Sequence, residues 1–123
     1  MEHRPYNDYL GTHRAFFGLF EAVEDSEVAA RLFEAACGWA RGQGLSQIVG
    51  SRKLGSAEPA GVLVEGFEHR PALGMPYNHA YYDALIVGAG FEKEGETLSG
   101  YLGGDYELPE RFFRIAERVK EHI

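Results

Sequence analysis

Three carboxylates crowd a place where a phosphate would ordinarily sit. In "EAVEDSEVAARLF" (Glu21–Phe33) an apolar run hands over to an amphipathic helical pattern. Such a junction points free backbone N–H groups and the positive end of the helix dipole at whatever lies ahead. This one has no glycine and carries Glu24, Asp25 and Glu27. Their charge repels an anion, and Asp25 or Ser26 is suited to occupy the free N–H groups as a helix cap. The expectation is a turn that caps its own helix and makes a poor phosphate cradle.

Other chemistry-bearing residues are fewer. Glu21, Glu65 and Glu68 are carboxylates able to take a proton from an amine, given reach and a suitable pKa. Arg52 and Lys53 follow an apolar segment directly, where two cations either meet an anionic ligand group or form a solvated pair. In "MPYNHAYY", Tyr77, Asn78 and Tyr81 either line a small-molecule pocket or pin a loop. The five histidines show neither i,i+4 pairing nor Cys/His spacing, so no metal site is expected. No Gly-x-Ser-x-Gly elbow, P-loop or dinucleotide fingerprint occurs. Cys37, the only cysteine, falls within a helical pattern and reads as a structural thiol in a reducing cytoplasm.

The elements that must position these groups follow from periodicity. At 123 residues and 45% hydrophobic composition the chain reads as one globular domain. A net charge of −7 argues against a nucleic-acid partner, and no apolar run suits a membrane span. Residues 1–13 read as an irregular arm. "RAFFGLFEAV" (14–23) reads as a buried strand, with Gly18 marking a bulge or close packing. A helix follows from about Ser26 to Arg41, ended by Gly42 and Gly44. "LSQIVGS" (45–51) reads as a second strand, parallel to the first through a right-handed crossover. "AYYDALIVGAG" is helix-like, and "FEKEGETLSGYLGG" alternates around a Gly95 turn as edge strands would. Pro109 and an apolar face of Phe112, Phe113, Ile115, Ala116 and Val119 mark a terminal helix over 108–123.

With that order in view, "EVAARLFEAACGWARGQGLSQIVGS" and "YYDALIVGAGFEKEG" resemble the second half of the GNAT superfamily of acyl-CoA N-acyltransferases. The phrases "FFGLFEAVEDSEVAARLFEAA", "GVLVEGF", "MPYN" before "YY", and "AGFEK" are similar to uncharacterised GNAT-like proteins, and the likeness runs from about Ala15 to Leu102. It implies an α/β fold (α+β layered), a mixed, mostly antiparallel β-sheet flanked by helices, with 14–103 as its core. That fold is truncated at the N-terminus and carries an added C-terminal helix. It also implies acetyl-CoA or another acyl-CoA in a cleft where two parallel strands splay apart. The pyrophosphate would then meet the N-terminus of the following helix. Carried onto this sequence, the cofactor contacts are Phe20, Ala22, Val23, Ser26, Ala29 and Arg52. Glu21, at the strand end facing the splay, becomes the base that deprotonates a small amine.

The departures from that family are specific. Glu24 stands in the basic place and Glu27 in the first glycine place of the phosphate turn, and only Ala29 agrees. Where many members carry an acid-catalytic tyrosine this chain has Ile86, which leaves Tyr82 to fill the role from a shifted helix. The family's early strands are absent, so a sheet edge and an apolar face need cover. A second copy in a homodimer, or the terminal helix, would supply it. The expected activity is N-acyl transfer or a degenerate form of it. The alternative is a non-catalytic ligand-binding or assembly domain.

Overall fold

The computed structural model describes residues 1–52 and 60–120. Lys53 and most of the basic loop lie outside the described residues, as do the last three residues of the expected terminal helix. In chain order the elements are α1 (Arg4–Leu10), β1 (Arg14–Phe16), α2 (Ser26–Gly42), β2 (Gln47–Val49), α3 (Tyr81–Gly88) and α4 (Glu110–Lys120). The chain is thus a mixture of helices and a small sheet. β1 and β2 pair in parallel, Ala15 opposite Ile48, with α2 as the crossover between them.

α2 forms because Asp25 caps it and because three buried positions recur on one side. Asp25 is extended and its carboxylate accepts from the N–H groups of Glu27 and Val28 at 2.8 and 3.2 Å. Ala29, Phe33 and Ala40 bury one stripe of the helix. Ala40 meets Ala15, Leu45 and Ile48 over the sheet, and small side chains at Ala15 and Ala40 let helix and sheet approach closely. Phe33 sits in a ring cluster with Phe17, Phe20 and Phe91, at centroid separations of 4.6–5.3 Å. Tyr82 and Leu85 of α3 are buried on the same side.

Several sequence expectations need correction. The first strand does not run to Val23. Its pairing ends when Phe17 N–H donates to Val49 O and Phe17 O accepts from Arg52 N–H. Leu19 then adopts φ 55°, a left-handed conformation that a side-chain-bearing residue rarely takes, and the chain leaves β2 there. The arm is not wholly irregular. Pro5 fits the first turn of α1, His3 Nδ1 accepts from Tyr6 N–H, and Gly11 closes the helix at φ 63°. The alternating segment after Phe91 makes no strand, because alternation supplies a face but a strand also needs a partner backbone, and none is offered among the described residues. The described sheet is likewise not mostly antiparallel: one isolated antiparallel bridge, Glu2 to Ala15, flanks the parallel pair.

The open edge of β1 is covered from within the chain. The buried Asn7 side chain donates to Arg14 O at 2.9 Å and accepts from Arg14 N–H at 3.2 Å, standing in for a neighbouring strand. Met1 N donates to Phe16 O, and Phe16 N–H donates to Met1 O. α4 does not provide this cover, since none of its described residues is buried. Its sequence is strongly two-faced, but the sheet edge it was expected to close is already hydrogen-bonded.

Candidate functional site

The turn before α2 resolves the conflict of charges in favour of self-capping. Glu27 N–H and Val28 N–H are held by the Asp25 carboxylate and Ala29 N–H is bonded to Asp25 O, so most donors at the start of the helix are already engaged. Asp25 N–H itself donates to Val23 O at 2.7 Å. Acyl-CoA needs such donors for its pyrophosphate, and Glu24, Asp25 and Glu27 put negative charge where that group would sit. The residues present do not fit the pyrophosphate at this helix. Ser26 and Ala29 are placed at the turn, but Asp25 stands ahead of both.

Glu21 and Tyr82 are brought together. They lie 61 positions apart, and the Tyr82 hydroxyl donates to Glu21 Oε1 at 2.7 Å. The Tyr82 hydroxyl oxygen in turn accepts from Ala22 N–H at 3.4 Å, while the Tyr81 hydroxyl donates to Ala22 O at 3.1 Å. Two consecutive tyrosines in the first turn of α3 thus grip the backbone of one residue, Ala22, on the irregular stretch after Leu19. That turn of backbone at Leu19 is what carries Glu21 away from β2 and toward α3. Tyr82 is 4% exposed, wedged edge-on against Phe20 at 5.1 Å and against Tyr81 at 5.2 Å. Burial, chiefly, and its bond to the Glu21 carboxylate push the Tyr82 pKa above its ordinary 10.0. Glu21 is exposed, so the pair has one end in the ring cluster and one in solvent.

The remaining named residues divide. Phe20 stacks on Phe33 at 4.9 Å and serves as the wall behind Tyr82, while Val23 is exposed and contributes its carbonyl to the cap. Arg52 lies over the rings of Phe16 and Tyr6 at 5.5 and 5.8 Å. Phe16 and Phe17 project to opposite faces of the strand, so Arg52 is on the face away from the Phe17–Phe33 contact and from Glu21. There it lines a cavity of about 110 Å³ with Met1, His3, Tyr6 and Phe16. Asn78 is occupied in clamping a loop: it accepts from Leu63 N–H at 2.7 Å and donates to Leu63 O and His79 O. Tyr77 donates to Phe67 O at 3.3 Å. Only Tyr81 of that cluster reaches the Glu21–Tyr82 pair.

Sequence reasoning passed over His79. Its ring stacks on Tyr81 at 5.0 Å with planes 7° apart and tilts toward Tyr82 at 5.8 Å. The available signal was its place between Asn78 and the tyrosine pair, where a ring two residues ahead of Tyr81 can fold back over it. Among the described residues, no group of three or more His, Cys, Asp or Glu side chains is placed to hold a metal. Among them, too, no helix is long and apolar enough to cross a membrane.

The chain is similar to Protein YghO of Escherichia coli (strain K12), with 33% identity over 97 residues, 79% of this chain and 25% of that protein. It is also similar to a bacterial ceramide synthase of Caulobacter vibrioides, with 30% identity over 102 residues, 83% of this chain and 26% of that protein. The chain therefore spans about a quarter of the length of the curated relatives it matches. No family model matches it. No solved structure matches it.

Proposed function

We propose that the chain carries the proton-handling part of an amide-forming acyltransferase of GNAT-like lineage, with Glu21 as base and Tyr82 as proton donor. The observation that carries this reading is the 2.7 Å bond from Tyr82 to Glu21 beside the start of α2. Acylating an amine requires one proton to leave the amine and one to reach the departing group. A carboxylate with one face in solvent suits the first task, and a phenol kept neutral by burial suits the second. In the step, Glu21 takes the amine proton as nitrogen attacks the acyl carbon. Tyr82 gives its hydroxyl proton to the leaving group and recovers one from Glu21, so a single proton passes from amine to leaving group.

The similarity to a ceramide synthase supports the reaction class. A ceramide is an N-acylated amino alcohol, so making one joins an acyl group to an amine. The matched quarter of that protein supports no more than the class. A second reading, a fold that binds or assembles without catalysis, is favoured by one feature: the phosphate turn is closed by its own Asp25 cap.

Thiol release from acetyl-CoA and from S-acetylpantetheine, each with a panel of primary amines, tests both readings. The catalytic reading expects amine-dependent release from both thioesters. It also expects a fall of about 100-fold or more in Glu21→Gln and Tyr82→Phe. Because the α2 turn does not fit pyrophosphate, the two donors should bind within about threefold of each other. Release absent with either donor would sink the catalytic reading and leave the binding one.

A further inference from the structure

Two apolar stripes on this chain face solvent, and the charges around them are complementary. On α2, Val28, Leu32, Ala35 and Trp39 are exposed at i, i+4, i+7 and i+11, a seam separate from the buried side formed by Ala29, Phe33 and Ala40. Such spacing makes one continuous ridge for a second helix to pack on. On α4, Phe112, Ile115, Ala116 and Val119 form a face with no buried residue. At the helical rise the α2 ridge is about 16 Å long and the α4 ridge about 10 Å, so the shorter ridge fits within the longer. Both helices start acidic and end basic, so their ends complement each other when the two run antiparallel. α4 begins with Glu110 and ends with Arg118 and Lys120, and α2 is preceded by Glu24 and Asp25, begins with Glu27 and ends with Arg41. With Arg111 and Arg114 against Glu110 and Glu117, α4 carries a net +2 in a chain of formal charge −7.

We infer that α4 of one copy docks antiparallel on the Val28–Trp39 seam of a second copy, reciprocally, to make a two-fold dimer. Antiparallel docking sets Arg118 and Lys120 over the acidic start of α2 and Glu110 beside Arg41. It also opposes the two helix dipoles. The reciprocal contact covers both stripes in each copy, which a monomer leaves in water. The dimer is independent of acyl transfer, since it uses the side of α2 away from Phe33 and leaves Glu21 and Tyr82 untouched.

Trp39 is the chain's only tryptophan and sits 44% exposed in the seam, so its emission reports docking directly. Sedimentation equilibrium of the full chain from about 1 to 200 μM should show monomer and dimer, with Trp39 emission shifting to the blue over the same range. Leu32→Glu and Ile115→Glu, both at exposed positions, should each weaken the dimer about tenfold or more. Their circular-dichroism melts should match the parent's. Mixing the two variants should recover dimer, because the mixed pair retains one intact α4–α2 contact. Three results would overturn the inference. One is a monomer with red-shifted emission throughout. Another is blue emission from a monomer, which would place each α4 on its own α2. The third is a dimer that neither substitution weakens.

Discussion

Replacing Tyr82 by phenylalanine isolates the hydroxyl that ties α3 to the stretch after β1. The ring keeps its contacts with Phe20 and Tyr81, and what disappears is the 2.7 Å bond to Glu21 and the 3.4 Å bond from Ala22 N–H. A hydrogen bond to a charged acceptor contributes about 1.5–3 kcal/mol, and here the exposed carboxylate regains water when its partner is lost. The expected loss is therefore about 1–2 kcal/mol, or a melting temperature lower by about 4–8 °C for a domain of this size. pH gives a second handle. The raised pKa means the folded chain holds the Tyr82 proton after the unfolded chain has released it. The associated stability is whole below pH 10, and it declines as pH climbs past 10 toward the folded value. Urea titrations of parent and Tyr82→Phe at several pH values between 7 and 11 should thus show a constant gap that narrows only at the alkaline end. A Glu21→Gln variant completes a double-mutant cycle, in which a coupling of about 1 kcal/mol is expected. A cycle with no coupling, or a gap that widens above pH 10, would refute the pairing of these two side chains.

Asp25→Ala removes the acceptor for two N–H groups and should cost about 0.5–2 kcal/mol in a thermal melt. It also uncovers first-turn donors, so inorganic phosphate should stabilise the variant more than the parent. Phe33→Ala empties the centre of the ring cluster. A loss of about 3–5 kcal/mol is expected by urea unfolding, along with weaker Glu21–Tyr82 coupling as Phe20 loses its stacking partner.

How much of this could be read from residue order depends on the range of each interaction. α2, α3 and α4 were legible because a helix is written in its own periodicity and its ends. Asp25 before an apolar-periodic run, Gly90 after "AYYDALIVG" and Pro109 before "ERFFRIAERVK" each act within one turn. The self-capped turn was legible for the same reason, as a contest between Asp25 and an absent glycine over N–H groups two and three residues away. The parallel pairing of the two strands followed from the length and polarity pattern of the crossover between them.

Tertiary structure decided the rest. Nothing local marks Leu19 as the point where the chain turns to φ 55°, because its side chain favours no such turn and only packing of Phe17 and Phe20 on Phe33 imposes it. The use of Asn7 as a surrogate strand edge and of Asn78 as a clamp on Leu63 likewise depends on what folding brings to their amides. So does the removal of Arg52 to the Tyr6 face. The site shows the division most plainly. Residue type named Glu21 as a candidate, and the family resemblance named Tyr82. Their meeting across 61 positions was settled by helix α3 packing on α2, since a hydrogen bond of that range exists only after burial of the aromatic side chains has brought its ends together.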